Sequence, residues 1–358
     1  MKKINIKLTK KQNNYTIFIG RGLIAKISEL YDLSKYSKVF VVTDKVVSSL
    51  FLNKLLKGLP VNSEFIVLPK GEKEKNIDSI QKIYSAMLKA DCDRKSLVIN
   101  LGGGVICDMG GFAASTYMRG IDFVNIPTTL LSQVDASVGG KTGIDFANVK
   151  NLIGTFSQPK AVFIDVDVLK TLPKREFLSG FGEIIKHGLI LDKNYFEKVT
   201  SKKPSEFTKQ ELIEIISKSC EIKKQIVEKD EDEANVRKLL NFGHTIGHAI
   251  EALSLKTNNP LLHGEAISIG MIVESRIARK IGLLSDEDVL KIEKGFKNAG
   301  LPVSISGMKT EDLKKKMKSD KKNTRGKINF TLLKKIGEAI VDKQILDEVL
   351  DEVLADAL

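Results

Sequence analysis

Cysteine is scarce in this chain: Cys92, Cys107 and Cys220 lie far apart, form no CxxC pair and leave one over. That excludes a disulfide framework as the organising device and points to a reducing compartment. Long apolar runs are also missing, since no segment approaches the ~20 residues needed to cross a bilayer. Met1-Lys-Lys is followed by Ile-Asn-Ile-Lys-Leu-Thr-Lys-Lys, which has no apolar core of the kind a secretion signal needs. A cytoplasmic protein with no membrane partner is the expectation. There is no internal repeat, low-complexity tract, RNA-type aromatic motif or helix-turn-helix signature to accompany the net charge of +12. Lysine is scattered over the chain, so we expect a solvated basic surface and no nucleic-acid partner, although the charge also suits a small anionic substrate.

Histidine is rare too, with four in 358 residues, and here the grouping is informative. His244 and His248 sit in Arg237-Lys-Leu-Leu-Asn241-Phe-Gly-His244-Thr-Ile-Gly-His248-Ala-Ile-Glu251, and His263 follows after a polar loop. Imidazole is the commonest metal ligand and the side chain best poised to move protons near neutral pH, so this clustering marks a site.

The chain exceeds the length at which single cores stop growing, so two domains are expected, residues 1–172 and 173–358. In the first, β-branched runs alternate with amphipathic segments: Val39–Asp44, Glu64–Pro69, Ser96–Leu101, Asp122–Pro127 and Ala161–Asp165. That alternation predicts an α/β domain with a largely parallel sheet. Beyond Leu172-Pro173 the period lengthens to 3.6 over Glu211–Lys229, Val236–Leu255 and Glu265–Ile281, predicting a mostly helical second domain. Ile328–Leu333 and Glu338–Val341 read as a small hairpin before a final amphipathic helix.

Gly102-Gly103-Gly104 follows a strand and opens a helical stretch ending its first turn near Asp108, so its backbone amides could cradle a pyrophosphate. Cys107 replaces the third glycine of GxGxxG. Asp44 stands where an acid can grip a ribose hydroxyl or simply cap a helix. Gly71-Glu72-Lys73-Glu74-Lys75-Asn76 and Pro127-Thr128-Thr129 add polar residues after strands, on the edge where open α/β sheets bind ligands. Asp135-Ala-Ser-Val-Gly-Gly-Lys141-Thr and Lys150-Asn151 gather charge around glycine-rich backbone, suited to an anion or to several hydroxyls. Gly-Gly-Lys-Thr is no P-loop, because position 135 is Asp and the spacing GxxxxGK[ST] fails. Glu183 and Lys186, three apart on a helix, form either a plain ion pair or part of a site. One Glu with two imidazoles makes a catalytic zinc set with an open position, but which two imidazoles is left open by spacing alone.

Taken in order, these motifs, together with Tyr117-Met-Arg119-Gly, Lys150-Asn-Leu-Ile-Gly-Thr-Phe, Glu183-Ile-Ile-Lys186, His263-Gly-Glu265 and Asp320-Lys321-Lys322, closely resemble 3-dehydroquinate synthase of the shikimate pathway over nearly the whole chain. The resemblance implies a Rossmann-like N-terminal domain for NAD, a helical C-terminal domain holding zinc or cobalt, an active site in the cleft between them, and a homodimer. It implies Glu183, His244 and His263 as metal ligands. It gives Asp44, Glu72, Lys75, Gly103, Gly104, Asp108, Thr128, Thr129, Lys141 and Lys150 to NAD. Arg119, Asp135, Lys141, Lys150, Asn151, Lys186, Lys223, Arg237, Asn241, His248 and Lys321 or Lys322 would contact a small anionic sugar-phosphate substrate or carry protons. Cys107, Asp145, Gly182 and His187 depart from the usual pattern, which has Gly, Asn, Ala and Tyr there; none removes a ligand, and His187 reads as structural. The implied reaction takes 3-deoxy-D-arabino-heptulosonate 7-phosphate to 3-dehydroquinate and phosphate through transient oxidation by NAD. A metal-dependent NAD polyol dehydrogenase, or a cyclase acting on another sugar phosphate, are the competing readings.

Overall fold

Residues 1–8, 13–61, 63–147, 149–318 and 328–357 are described by the computed structural model of the chain. Two compact units emerge, Met1–Leu172 with Leu212–Lys224, and Pro173–Glu211 with Gln225–Leu358.

In the first unit the strands are β1 (Lys2–Ile6), β2 (Tyr15–Gly20), β3 (Val39–Asp44), β4 (Glu64–Leu68), β5 (Leu97–Gly102), β6 (Asp122–Pro127), β7 (Lys141–Phe146), β8 (Val149–Phe156) and β9 (Ala161–Asp165). Seven of them make one sheet in the order β1-β2-β9-β6-β5-β3-β4. Only the β1–β2 pair is antiparallel; the others run parallel. Strands β3, β5 and β9 are buried along their whole length, as near-continuous Val, Ile and Leu runs require when both faces of a parallel sheet are covered. The five anticipated strands are all present. The edge pair β1–β2 was not anticipated, because Lys2-Lys3-Ile4-Asn5-Ile6 buries only two of its residues. Also unanticipated was the separate β7–β8 hairpin, whose second strand is almost wholly exposed and so carries no hydrophobic period.

Helix Ile77–Lys89 begins at Asn76, whose side chain accepts from the Ser79 amide, and buries Ile80, Ile83 and Met87 on one stripe. Helix Gly104–Thr116 is buried on nearly all sides, consistent with its Gly and Ala content.

The second unit is helical, with Lys174–Leu191, Lys193–Thr200, His244–Ser254, His263–Lys280, Asp286–Asn298, Thr310–Lys318 and Asp347–Ala357, and the expected hairpin of β10 (Phe330–Lys335) and β11 (Glu338–Lys343). Helix Lys209–Val227 is shared in sequence, its Leu212–Lys224 stretch belonging to the first unit. One expectation fails: Val236–Leu255 is not a single helix. A short 3-10 turn, Val236–Asn241, ends at Phe242, and Gly243 takes the left-handed conformation with φ 79° before helix His244–Ser254 starts. A side chain on Gly243 would meet the Met271 backbone nitrogen at 2.9 Å, so only glycine both turns there and lets the chain in.

Candidate active site

In the first unit the register aligns Asp44 with Leu68, Thr43 with Leu101 and Gly102 with Pro127. The carboxyl ends of β3, β4, β5 and β6 therefore share one edge. Chain order reverses between β3 and β5, with β4 added on one side and β5 on the other. Asp44 and Gly103 flank that switch point, the place where open α/β sheets take their ligands. Gly103 is the N-cap of helix Gly104–Thr116 and supplies no side-chain cap. A Cβ there would press on Thr129 Cγ2 at 3.1 Å. An uncapped helix start beside compact glycine backbone is a fitting cradle for a dinucleotide pyrophosphate. Thr128 donates its amide to Gly102 O at 2.9 Å, and Thr129 Oγ1 bonds Ser132 Oγ at 2.8 Å, which fixes the loop after β6. Asp44 does cap a helix, accepting the Val46 and Val47 amides through Oδ1.

Lys75 ties three sequence motifs together. Its side chain is buried, Nζ donates to Asp108 Oδ2 at 2.6 Å, and the same Nζ bonds Asn151 Oδ1. Asn151 has φ 51° and donates its amide to Asp145 Oδ1 at 2.8 Å, while the Asp145 amide donates to Lys75 O at 2.8 Å. Asp145, one of the departures from the family pattern, thus keeps a structural place. Burial alone would depress the Lys75 ammonium; Asp108, Glu72 and Asp145 outweigh it and hold the group above the ordinary lysine value. Lys150 Nζ reaches Glu72 Oε1 at 4.0 Å, both exposed, and Lys141 is the exposed first residue of β7.

Asp135 lies on a single π-helical turn, Ser132–Ala136, and both its carbonyl and its Oδ1 accept from Lys223 Nζ at 2.5 Å. Arg119 makes no hydrogen bond or ion pair to these groups among the described residues. It follows the C-terminal end of helix Gly104–Thr116, a helix of about 20 Å at 1.5 Å per residue, and has φ 72°.

In the second unit three helices bring their polar groups to one point. Glu183 is fully buried on helix Lys174–Leu191, His244 opens helix His244–Ser254, and His263 opens helix His263–Lys280. Gly264 is what lets the first and third approach, because a Cβ on it would lie 1.8 Å from Ser179 O. The Gly264 amide is anchored to the same residue, donating to Ser179 Oγ at 3.0 Å. Arg175 clamps the same helix start with a two-pronged pair to Glu265, at 2.7 and 2.6 Å.

Glu183 Oε1 stands 3.7 Å from His244 Nε2 and 3.8 Å from His263 Nε2. Among the described residues that buried oxygen has no hydrogen-bond donor. An anionic oxygen cannot be left so in a dry interior without a positive partner. Donors on one tetrahedral zinc sit ~3.4 Å apart when each bond is ~2.1 Å, so these separations fit a divalent ion with little adjustment. Glu183 Oε2 pairs with Lys186 Nζ, so the i,i+3 ion pair exists alongside the ligand geometry. His248 is close as well: one donor atom each from His244, His248 and His263 lie within 4.8 Å of one another. The other ring nitrogens are engaged, His244 Nδ1 with Phe242 O at 3.0 Å and His263 Nδ1 with Glu251 Oε2 at 3.2 Å. Glu251 and Arg175 were not singled out from sequence; Glu251 stands at i+7 from His244, a spacing that shares its face.

Arg237 is buried on the 3-10 turn and donates to Glu231 O, and Asn241 Nδ2 donates to Glu233 Oε1 at 3.1 Å. Their loop is organised by Asp230, which accepts the amides of Ala234, Asn235 and Arg237. Burial would raise the Asp230 carboxyl, but those amides hold it below its ordinary value. Lys321 and Lys322 lie outside the described residues.

The fold is of the dehydroquinate synthase-like class, an α/β unit and a helical unit. Solved structures with this fold include 2-deoxy-scyllo-inosose synthase complexed with carbaglucose-6-phosphate, NAD⁺ and Co²⁺, with TM-score 0.89 at 22% identity and all of both chains covered. Another is the 2-epi-5-epi-valiolone synthase ValA from Streptomyces hygroscopicus with NAD⁺ and Zn²⁺ bound, with TM-score 0.84 at 26% identity over 96% of each chain. Residues 65–179 match the family model of the 3-dehydroquinate synthase N-terminal region and residues 180–323 that of its C-terminal region. The 3-dehydroquinate synthase of Thermodesulfovibrio yellowstonii is 44% identical, covering 99% of both chains. The chain belongs to the 3-dehydroquinate synthase family.

Proposed function

We propose that the chain catalyses the 3-dehydroquinate synthase reaction, the conversion of 3-deoxy-D-arabino-heptulosonate 7-phosphate to 3-dehydroquinate and phosphate on the shikimate route to chorismate and the aromatic amino acids. The observation that carries this is a family match across both halves, joined to the convergence of Glu183, His244 and His263. When bound, NAD supplies a reversible hydride acceptor that acidifies the C–H beside the departing phosphate, and zinc or cobalt supplies a Lewis acid for the substrate hydroxyls.

The chain's own groups then have distinct tasks. Glu183, His244 and His263 hold the metal. Gly103 and Gly104 admit the pyrophosphate, with Asp108, Thr128, Thr129, Lys141 and Lys150 around it and Asp44, Glu72 and Lys75 at its nucleoside side. Lys75 also fixes the Asn151 amide side chain, linking cofactor and substrate binding. Lys186, Lys223, Arg237, Asn241 and Asn151 neutralise and orient the substrate's phosphate and carboxylate, with Asp135 orienting Lys223. His248, half-buried beside the two imidazole ligands, accepts the hydroxyl proton at a ring nitrogen. Arg119 and Lys321 would complete the anion contacts. Residues 1–172 form the NAD-binding domain and 173–358 the metal- and substrate-binding domain in this reading, within a cytoplasmic homodimer. Three free, buried cysteines favour a reducing compartment, and no helix among the described residues is long and apolar enough to cross a membrane.

The test is phosphate release from the heptulosonate 7-phosphate with catalytic NAD⁺ and zinc. Phosphate in many-fold excess over NAD, with no net NADH and with loss of activity on chelation, is the expected result. Stoichiometric NADH would mean a polyol dehydrogenase instead, and turnover only of another sugar phosphate would mean a different cyclase.

A further inference from the structure

The two imidazoles turned toward Glu183 are held in different ways. His244 Nδ1 bonds a main-chain carbonyl, Phe242 O, whose position is set by the Phe242-Gly243 turn itself. That ligand is nearly enclosed, with a tenth of its side chain exposed. His263 likewise opens a helix, but its side chain is 26% exposed, so packing restrains it less. What holds it is a side chain from another element: Glu251 Oε2, 3.2 Å from His263 Nδ1, on a carboxylate only 9% exposed.

We infer that Glu251 is a positioning residue for the metal centre, acting through His263; the inference rests on the metal reading given above. With Nε2 facing the ligand carboxylate, Nδ1 carries the ring proton and donates it to Glu251. The bond selects the tautomer that leaves Nε2 free to ligate, stops the ring from rotating, and makes the imidazole a stronger donor by placing negative charge behind it. Because His244, His248 and Glu251 follow one another at i, i+4 and i+7, a single helix face supplies one ligand, one proton-transfer group and the anchor for the ligand on the neighbouring helix. The neighbour in turn is pinned by Arg175 and Glu265 at its first turn. Glu251 is therefore the contact that couples ring orientation to an already fixed backbone.

The experiment measures zinc affinity of the metal-free chain by competition with a chromophoric chelator, and records the visible spectrum after cobalt loading, for wild type, Glu251→Ala and Glu251→Gln. Glu251→Ala is expected to weaken zinc binding 10–100-fold, on the order found for partners behind a ligating histidine, and to alter the cobalt bands. Glu251→Gln, which keeps an acceptor oxygen and the shape but loses the charge, is expected to fall between the two and to recover part of the cobalt spectrum. A role in packing alone would lower the melting temperature of the metal-free chain and leave zinc affinity and cobalt bands at wild-type values; that result would overturn the inference. Should Glu251→Ala fail to fold, the near-isosteric Gln variant decides by the same criterion. Wild type that binds no zinc would overturn the metal reading itself, a result distinct from wild-type affinity persisting in both variants.

Discussion

Glu183 Oε1 and His244 Nε2 face each other at 3.7 Å, a separation too long for a hydrogen bond and suited to an ion held between them. His263 Nε2 stands at nearly the same distance from that oxygen, and His248 is near enough to both imidazoles to compete as a ligand. The carboxylate favours a Glu-His-His set over a three-histidine set, because Lys186 pairs with Oε2 and leaves the buried Oε1 without a donor among the described residues.

Removing that carboxylate separates the two sets. Glu183→Gln and His263→Ala are expected to abolish turnover and to weaken zinc binding by at least 10-fold, whereas His248→Ala slows turnover by 10²-fold or more, the scale of a lost general base, with zinc retained. Zinc titration of the three variants checks this. Loss of zinc from His248→Ala with full retention in Glu183→Gln would assign the metal to the histidines alone.

Much of this was legible in the sequence where side-chain type and spacing act locally. The buried strands β3, β5, β6 and β9 announced themselves as β-branched runs, and the glycine turn after β5 as a helix start. What stayed hidden depends on contacts between distant segments. The approach of His263 to Glu183 needs two helices to pack closely, and that closeness rests on the absence of a Cβ at Gly264. The break at Gly243 was invisible because the apolar period runs through it, while the Glu274 carboxylate that receives the Gly243 amide lies 31 residues on, in another helix. Strand β8 is almost wholly exposed and writes no period, β7 buries only Gly143 and Ile144, and the hairpin is tied down further by bonds involving Lys75 and Asp145. Arg119 was carried over by resemblance alone, and its place at the far end of its helix has no sequence signal at all.

Gly264→Ala tests the close approach directly. Its methyl group would sit 1.8 Å from Ser179 O and 2.6 Å from Ser179 C, both backbone atoms that cannot rotate away. The helices must separate, so we expect a loss of ~1–3 kcal/mol of stability, the usual range for overpacking. A second consequence is weaker zinc binding, since Glu183 and His263 ride on the helices being forced apart. Denaturant melts together with zinc titration at a temperature where the variant is folded would check both; unchanged zinc affinity would show that the close approach serves packing alone.

Lys75→Met removes the cation shared by Asp108 and Asn151. It leaves Asp108 partly buried without its ion-pair partner, which costs about 3 kcal/mol by analogy with broken buried pairs. The pH dependence has a definite sign. Because the folded chain holds the Lys75 ammonium above the ordinary value of 10.5, its contribution is complete below that pH and is lost as pH rises beyond it. The stability gap between wild type and Lys75→Met should accordingly be full at neutral pH and narrow in strong alkali, as urea melts at the two conditions would show. An equal gap at both would rule out the ammonium as its source.

Glu211 gives the opposite sign at the other end of the scale. It begins the helix that carries Lys223, with Lys202 Nζ donating to its Oε1 at 2.7 Å and the Thr208 amide to its Oε2 at 2.7 Å, while its own amide donates to Thr208 Oγ1. This reciprocal capping satisfies donors that a helix start would otherwise leave to water. The Lys202 bond first, then the Thr208 bonds, lower the Glu211 carboxyl to about 2 from its ordinary 4.5. A depressed carboxylate adds stability that is complete above pH 4.5 and disappears as pH falls toward 2. Glu211→Gln should therefore melt below wild type at neutral pH and converge with it in acid. Thermal melts of the two proteins across that range test the point, and curves that stay parallel down to pH 2 would mean the capping geometry contributes without its charge.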